Sequence, residues 1–291
     1  MKRHPFFWGT FILLLLTFSF YSLSHSLLDE WDGEDGEKIA VVEVEGLISE
    51  PDDIVEELKK HGKDPSIKGV LLRINSPGGG VAASQEIYSQ ILRIRRENGK
   101  KVVASMSSLG ASGGYYVACA ADKIMANPGT ITGSIGVIMP FSNIEALMGK
   151  IGLKADVIKS GEYKDIGSPT REMTSKEREI LKASIDDVYG QFVEAISQGR
   201  NMDSEKIRTL ADGRIYTGRQ ALEAGLIDRL GGFEDAVDFL VEIAGIQGEP
   251  VIIREEEEEG LLYRLVKGDA QSLLGRGILK PLSGFQYLWE Y

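Results

Sequence analysis

Hydrophobic and polar positions follow two periods along this chain, one typical of strands and one typical of helices. Residues 39–45 alternate like a strand, and residues 69–74 form a continuous apolar run of the kind found in buried strands. Residues 85–98 place Ile87, Ile91 and Ile94 at helical spacing, which predicts an amphipathic helix. The same patterns predict strands at 101–106, 123–126, 135–138 and 155–158, and helices at 51–61, 112–120, 175–198, 204–210, 218–224 and 233–246.

Strands that alternate with helices indicate βαβ units, so the predicted fold class is α/β, with a largely parallel sheet covered by helices. Because no internal duplication is visible, residues 39–254 are predicted to form one catalytic domain. An acidic tether at 29–38 precedes it, and an acidic linker with a C-terminal tail follows at 255–291. The glutamate run 255–259 is expected to be solvated, and the pattern leaves open whether the tail packs on a neighbouring subunit.

The N-terminal segment predicts a membrane anchor. Residues 6–28 contain no charged residue apart from a possible proton on His25. About 20 helical residues at ~1.5 Å each span the ~30 Å hydrocarbon core of a bilayer. Lys2 and Arg3 favour a cytoplasmic N-terminus at 1–5, so we expect a single-pass protein of the cell membrane with an extracytoplasmic catalytic domain. A cleaved signal peptide is the alternative, disfavoured by the length of the apolar run and by the lack of a small-x-small site before Asp29.

Composition excludes several kinds of chemistry. A net charge of −11 without a basic stripe argues against nucleic-acid binding. The single cysteine, Cys119, cannot form an intrachain disulfide, and the three histidines are too scattered for a metal cluster. We therefore predict no metal and no cofactor, and expect the chemistry to come from hydroxyls, lysines, carboxylates and backbone groups.

A candidate nucleophile, Ser112, lies in the sequence Gly-Ala-Ser-Gly-Gly directly after a predicted strand. This pattern is typical of a nucleophile on a strand-to-helix turn, although small residues also let a helix pack tightly on a sheet. No histidine follows Ser112, which excludes the Ser–Asp–His order of α/β-hydrolases. His61 lies in a polar turn and is expected to be an exposed surface histidine. A base other than imidazole is therefore needed.

Two further segments carry candidate chemistry. The run Asn-Ser-Pro-Gly-Gly-Gly at 75–80 follows a buried strand, and its backbone N–H groups suit an oxyanion hole. A plain Pro-Gly turn is the simpler alternative, and a phosphate loop is disfavoured because the Gly-Lys-Ser/Thr ending is missing. The segment 159–169 contains Lys159 and Lys164, either of which could act as a general base if it were held neutral. Their spacing does not choose between them, and a surface position is the ordinary role of a lysine.

These motifs occur together in colinear order, and on them the chain resembles the signal peptide peptidase A (SppA-type) serine–lysine proteases of the ClpP/crotonase superfamily. The resemblance covers roughly residues 39–248 and implies a ClpP/crotonase-like parallel-sheet spiral core with surrounding helices, behind the N-terminal transmembrane helix. ClpP-like enzymes carry a downstream catalytic histidine, which 127–132 lacks here. The motifs are Asn-Ser-Pro-Gly-Gly at 75–79, Gly-Ala-Ser-Gly-Gly-Tyr-Tyr at 110–116, Asn-Pro-Gly-Thr-Ile-Thr-Gly-Ser-Ile-Gly at 127–136, and Lys-Ser-Gly-Glu-Tyr-Lys-Asp at 159–165.

The resemblance also implies a role for each candidate residue. Ser112 would be the nucleophile, Lys164 its general base, and Ser134 the hydroxyl that orients the lysine. The N–H groups of Gly79 and Gly113 would form the oxyanion hole. Short, single-repeat members of the family are expected to form membrane-attached rings, in which the serine and the lysine of one site come from adjacent subunits.

The expected function is that of a membrane-anchored serine endopeptidase with a Ser/Lys dyad, which degrades remnant signal peptides after secretion. Its expected partners are peptide substrates, membrane lipid through the anchor, and further copies of the chain, with no nucleic acid. The alternatives are an NfeD-like membrane serine–lysine protease with another target, a non-catalytic ring-forming scaffold, and a crotonase-type acyl-CoA enzyme. The membrane anchor disfavours the last of these.

Overall fold

The structure, a computed structural model, describes residues 14–20, 36–255 and 286–288. Its strands are Lys38–Ile48 (β1), Ile67–Gly80 (β2), Lys101–Ala111 (β3), Lys123–Ala126 (β4), Ile131–Gly133 (β5), Ile215–Thr217 (β6), Arg229–Leu230 (β7), Val251–Arg254 (β8) and Gln286–Leu288 (β9). The helices between residues 36 and 255 are Asp52–Lys63 (α1), Val81–Glu97 (α2), Gly113–Ala118 (α3), Glu145–Lys150 (α4), Ser175–Arg200 (α5), Ser204–Leu210 (α6), Gly218–Ala224 (α7) and Phe233–Ala244 (α8).

The described strands form one sheet in which parallel pairs predominate. Its order is β6-β5-β3-β2-β1-β8, with β4 paired to β3 and β7, and with β9 added to β2. Among the described strands, the β2–β9 and β5–β6 pairs are antiparallel and the others are parallel. The predicted α/β class is therefore confirmed, since α1, α2 and α3 connect parallel strands from β1 to β4.

Strand β3 changes its partner halfway along its length. Residues 103–106 pair with β4, and residues 109–111 pair with β5 on the same edge. The other edge of β3 is occupied by β2 throughout, up to the pair of Ser76 with Gly110. Two partners in succession on one edge require the sheet to bend, as a spiral core does. The bend comes immediately before Ser112.

The sheet has an apolar core on each face because its central strands are buried on both sides. Val42, Leu72 and Ile74 belong to the larger cluster, together with residues of α1, α2, α3 and α5. Val41 and Leu71 point to the opposite face, where α8 covers them. Successive side chains of a strand point to opposite faces of the sheet. Because both faces are covered here, these runs are continuously apolar rather than alternating between apolar and polar residues.

Capping residues fix the ends of helices α5 and α7. Thr174 and Glu177 form a reciprocal capping box that starts α5. Thr217 and Gln220 form another at the start of α7, and Gly225 ends that helix in the left-handed conformation. Predicted helices 204–210 and 218–224 agree with α6 and α7 to the residue.

Two predicted strands are wrong. Residues 135–138 do not form a strand; β5 lies just upstream and ends where Gly133 and Ser134 adopt positive φ values of 78° and 49°. A positive φ breaks the extended backbone that pairing requires. Residues 155–158 are exposed and pair with no described strand, and Ile158 is 100% exposed. Their apolar pattern therefore does not reflect burial within the described chain.

The predicted anchor at 6–28 lies mostly outside the described residues, of which 14–20 are helical. Within the described ranges, no helix has both the length and the apolar character needed to cross a membrane.

Candidate active site

Ser112 lies on a sharp turn between β3 and α3. Its φ of 51° and ψ of −115° are unusual for a residue with a side chain. Two backbone hydrogen bonds hold the turn: Ser112 N–H donates to Gly133 O over 2.8 Å, and Tyr116 N–H donates to Ser112 O over 2.8 Å. The Ser112 hydroxyl is fully buried and has no hydrogen-bond partner within the described residues. A strained turn that holds an unpaired hydroxyl is the geometry of a nucleophile elbow.

The glycine run at the end of β2 lies against this turn. A Cβ built on Gly78, whose φ is 98°, would lie 2.5 Å from Gly113 N and 3.1 Å from Ser112 Cβ. A Cβ built on Gly113 would lie 3.1 Å from Gly79 N. The two backbones approach this closely because neither residue carries a side chain. The structure thus brings Gly79, Gly113 and Ser112 together.

Ser134 follows β5 on the other side of the turn. Its neighbour Gly133 accepts the hydrogen bond from Ser112 N–H, and Ser134 N–H donates to Arg214 O over 2.8 Å. Ser134 is buried and borders an open cavity of about 520 Å³, whose wall also includes Ile135 and Tyr189. Ser134 is therefore the direct neighbour of the residue that holds the turn, and it borders a space that another group can enter.

The structure distinguishes the two candidate lysines. Lys159 Nζ donates to Asp165 Oδ1 over 2.6 Å and to Glu162 O over 2.8 Å, so its ammonium group is held in an ion pair. Lys164 is exposed, and its Nζ makes no hydrogen bond or ion pair in the part of the chain that the structure describes. Lys164 therefore makes no hydrogen bond to Ser112 within the described chain, and of the two lysines only Lys164 has an amine without a partner there.

An ion-pair network fixes the segment that carries Lys164. Arg171 donates to both carboxylate oxygens of Asp165 over 2.9 and 3.0 Å, and to Glu177 Oε2 over 2.9 Å. Hydrogen bonds from Arg171 and Lys159 lower the pKa of Asp165, and Arg171 lowers the pKa of Glu177 to about 2. Because Glu177 also caps α5, the lysine segment is tied to the start of a long helix.

The stretch before this segment is apolar and exposed. We call residues 138–158 the apolar segment; it contains α4, which has no buried residue. Phe141 packs so closely on Gly167 that a Cβ there would lie 2.3 Å from its ring, so the apolar segment is in direct contact with the segment that carries Lys164. Exposed contiguous apolar surface marks an interaction site. Its large exposed side chains are Ile138, Phe141, Ile144, Leu147, Ile151, Leu153, Val157 and Ile158.

Strand β9 lies beside the glycine run, and sequence reasoning did not predict it. Gly79 pairs with Tyr287 in antiparallel register, and Tyr287 is fully buried. The richness of the tail in aromatic residues was the available signal, but it did not indicate where the tail packs. The site therefore includes a residue from the far end of the chain.

The remaining candidates lie outside this site. His61 is buried at 3% exposure, so the expectation of an exposed histidine is wrong: it lies on the inner face of α1, with Nε2 3.7 Å from Glu57 Oε1. Burial raises the pKa of the Cys119 thiol to about 12, which leaves it an unreactive core residue. Within the described ranges, no group of three or more His, Cys, Asp or Glu residues could hold a metal ion.

A family model and several relatives named as proteases match this chain. The model of peptidase family S49 matches residues 94–247. A Synechocystis protein that carries the name of a protease is 48% identical over 80% of this chain and 84% of its own length. An Enterococcus faecium protein named as a signal peptide peptidase SppA is 37% identical over 72% of this chain and 64% of its own. A Methanocaldococcus jannaschii protein, also named as a protease, is 36% identical over 94% of both chains.

Proposed function

Because the chain belongs to peptidase family S49 and is a serine endopeptidase of the SppA type, we propose that it works through a Ser112–Lys164 dyad completed between neighbouring subunits. The observation that carries this proposal is the buried Ser112 hydroxyl, which has no partner in the described chain, together with a lysine amine that has none either. A nucleophilic serine requires a base within hydrogen-bond reach.

In the proposed reaction, Ser112 Oγ attacks the peptide carbonyl carbon and its proton passes to the neutral amine of Lys164. The Gly79 and Gly113 N–H groups stabilise the resulting oxyanion, an effect of roughly 3–4 kcal/mol for one donor. Lys164 then donates its proton to the leaving amine, and the peptide bond breaks to give an acyl-enzyme. Water, deprotonated by Lys164, hydrolyses the ester and releases the serine. Ser134 accepts or donates a hydrogen bond at the amine and orients it.

The apolar segment supports the assembly that this mechanism needs. It is joined to the lysine segment through Phe141 and Gly167, so a neighbour that covers the exposed apolar surface also fixes the position of Lys164. A head-to-tail contact of this kind generates a ring when its rotation closes. We therefore propose a homo-oligomeric ring whose active sites each use two subunits.

Remnant signal peptides at the membrane are the proposed substrates. The uncharged run at 6–28 would anchor the ring in the cell membrane with its catalytic domains outside the cytoplasm. Anchored rings would meet apolar peptides that leave the bilayer. An E. faecium relative is named as a signal peptide peptidase, and that name supports this choice of substrate.

Co-expression of two inactive variants tests the proposal. Ser112→Ala and Lys164→Ala should each abolish peptide cleavage. A one-to-one mixture in co-assembled rings should recover about a quarter of wild-type activity, because random assortment pairs an intact serine with an intact neighbouring lysine at one site in four. Lys159→Ala is the matched control and should retain activity. Full activity of Lys164→Ala would exclude the dyad, and zero recovery in verified mixed rings would exclude the shared site.

A further inference from the structure

The glycine run at the end of β2 needs a fixed backbone if it is to hold an oxyanion donor in place. Gly78, Gly79 and Gly80 are consecutive, and glycine has more backbone freedom than any other residue. A donor helps the reaction only when it is already aimed at the developing charge, and a misplacement of about 1 Å can cost about 100-fold in rate. Other contacts of the folded chain must therefore remove the freedom of these three residues.

Ser76, which precedes the glycines by two positions, makes two hydrogen bonds that restrict them. Its hydroxyl donates to Gly46 O at the β1 edge over 2.6 Å and accepts from Gly78 N–H over 3.1 Å. The Ser76 side chain is fully buried, so bulk water does not compete for either bond. One hydroxyl thus connects the neighbouring strand to the residue immediately before the proposed donor, Gly79.

The strand pairing around Ser76 is irregular on both edges of β2. The register of β1 with β2 shifts between Glu45 and Leu47, and the register of β2 with β3 shifts between Ile74 and Ser76. Gly46, which accepts the bond from the hydroxyl, lies within the first shift and has a φ of 63°. A register shift interrupts the backbone ladder locally. The two bonds of the Ser76 hydroxyl therefore fix the chain where the regular ladder does not.

The next N–H along the run faces the nucleophile turn. A Cβ built on Gly113 would lie 3.1 Å from Gly78 Cα and 3.1 Å from Gly79 N. The Gly79 N–H belongs to the peptide group that follows Gly78, so rotation about the Gly78 backbone would swing it away from Gly113. Because Gly78 has a φ of 98° and its own N–H is bound by Ser76, that rotation is restrained.

We propose that Ser76 is a positioning residue for the reaction, and that its hydroxyl holds Gly78 so that Gly79 N–H stays aimed at the oxyanion beside Ser112. This proposal rests on the proposed function, with Ser112 as the nucleophile. Ser76 acts through the backbone and does not touch the substrate. An oxyanion forms both when Ser112 attacks the peptide and when water attacks the acyl-enzyme. Loss of the hydroxyl should therefore slow whichever of these steps limits kcat.

Kinetics of Ser76→Ala in the full-length protein test this role. We expect kcat to fall by about 10- to 100-fold, which is part of the roughly 100- to 1,000-fold lost when an oxyanion donor is removed outright. KM should change by less than about 3-fold, because the substrate itself loses no contact. A peptide aldehyde of the same sequence adds to Ser112 and places its oxygen in the oxyanion hole, so its affinity should fall by about the same factor as kcat/KM.

Ser105→Ala is the matched control. Ser105 is also fully buried, and its hydroxyl accepts a hydrogen bond from Arg73 over 2.8 Å. It lies on the same face of β3 as Val103, in the core on the side of α8, away from the glycine run. Its removal should lower stability, as the removal of Ser76 does, but leave kcat unchanged. Labelling of Ser112 by a phosphonate to completion counts the folded sites, so kcat is expressed per site.

A second substitution covers the case in which Ser76→Ala does not fold. Ser76→Cys fills nearly the same space, but its thiol is a weak donor and a weak acceptor. It should lower kcat by at least about 5-fold without a matching change in KM.

The outcomes separate the two proposals. An unchanged kcat per site in the folded Ser76 variant, an effect on KM alone, or an unchanged affinity for the aldehyde would overturn the role of Ser76 and leave the proposed function standing. An equal loss of kcat in Ser105→Ala would also overturn it, because the loss would then follow from stability. No Ser112-dependent cleavage by the wild type, together with no labelling of Ser112 by a phosphonate, would overturn the proposed function and this inference with it.

Discussion

Ser112 should make the protein less stable than it would be with glycine at the same position. Its φ of 51° and ψ of −115° fall where a side chain is strained, which costs about 1–3 kcal/mol. Glycine removes that strain but lowers the stability by about 0.5–1 kcal/mol, because its backbone loses more conformational entropy on folding. We therefore expect Ser112→Gly to raise the free energy of unfolding by about 1–2 kcal/mol from this cause.

The hydroxyl makes a separate contribution, which Ser112→Ala isolates. The buried Oγ has no partner in the described residues, so its removal should stabilise the protein by about 1 kcal/mol. We therefore expect Ser112→Gly to be more stable than Ser112→Ala, and Ser112→Ala to be more stable than the wild type. Both variants should lack the proposed catalytic activity, because each lacks the hydroxyl.

Thermal and urea unfolding at one protein concentration measure this order. Each kcal/mol corresponds to about 2–4 °C in Tm for a domain of this size. Asn201→Gly is the control: Asn201 also has a positive φ, 48°, but its ψ of 47° lies in the left-handed helical region that asparagine tolerates. It should change stability by only a few tenths of a kcal/mol. A wild type as stable as Ser112→Gly would refute the idea that strain is stored at the nucleophile.

Three further predictions concern other parts of the site and core. The ion pair with Arg171 lowers the pKa of Glu177 from 4.5 to about 2, so its stabilisation is complete above about pH 5 and is lost as the pH falls towards 2. Unfolding measured against pH should show Glu177→Gln less stable than wild type at neutral pH, with the difference disappearing near pH 2; a constant difference would contradict this. Gly78→Ala should reduce kcat/KM by at least about 100-fold, because its Cβ would enter the space between Gly113 N and the scissile carbonyl; near-normal kinetics would contradict the site geometry. Cys119 should resist iodoacetamide in the native protein and react after denaturation, as its raised pKa predicts; rapid labelling of the native protein would show that the thiol is accessible.

Local patterns predicted most of the fold and the position of the candidate nucleophile. The turn at Ser112 could be read from an apolar strand followed by small residues, since both signals lie within about a dozen positions. The prediction of a strand at 135–138 was wrong because an apolar run does not reveal the positive φ values at Gly133 and Ser134, where β5 ends. Periodicity reports side-chain burial and carries little information about such backbone conformations.

Long-range contacts set the limit of sequence reasoning at the site. Spacing alone did not separate Lys159 from Lys164, and the ion pair of Lys159 with Asp165, which does distinguish them, depends on how the segment folds. Strand β9 is only three residues long and pairs with glycines about 200 positions earlier in the chain. Nothing in its local sequence identifies that partner. The roles of Ser112, Lys164, Ser134, Gly79 and Gly113 remain predictions for the experiments above.

The pairing of β9 with the glycine run also has a consequence for biosynthesis. Strands β1 to β7, which include those around Ser112, are all made before residue 231, whereas Tyr287 is made more than 50 residues later. At about 5–20 residues per second, the glycine edge of β2 stays open for at least several seconds after those strands have emerged. Strand β9 is held by only three residues, so it should be among the first of the described strands to open in hydrogen exchange.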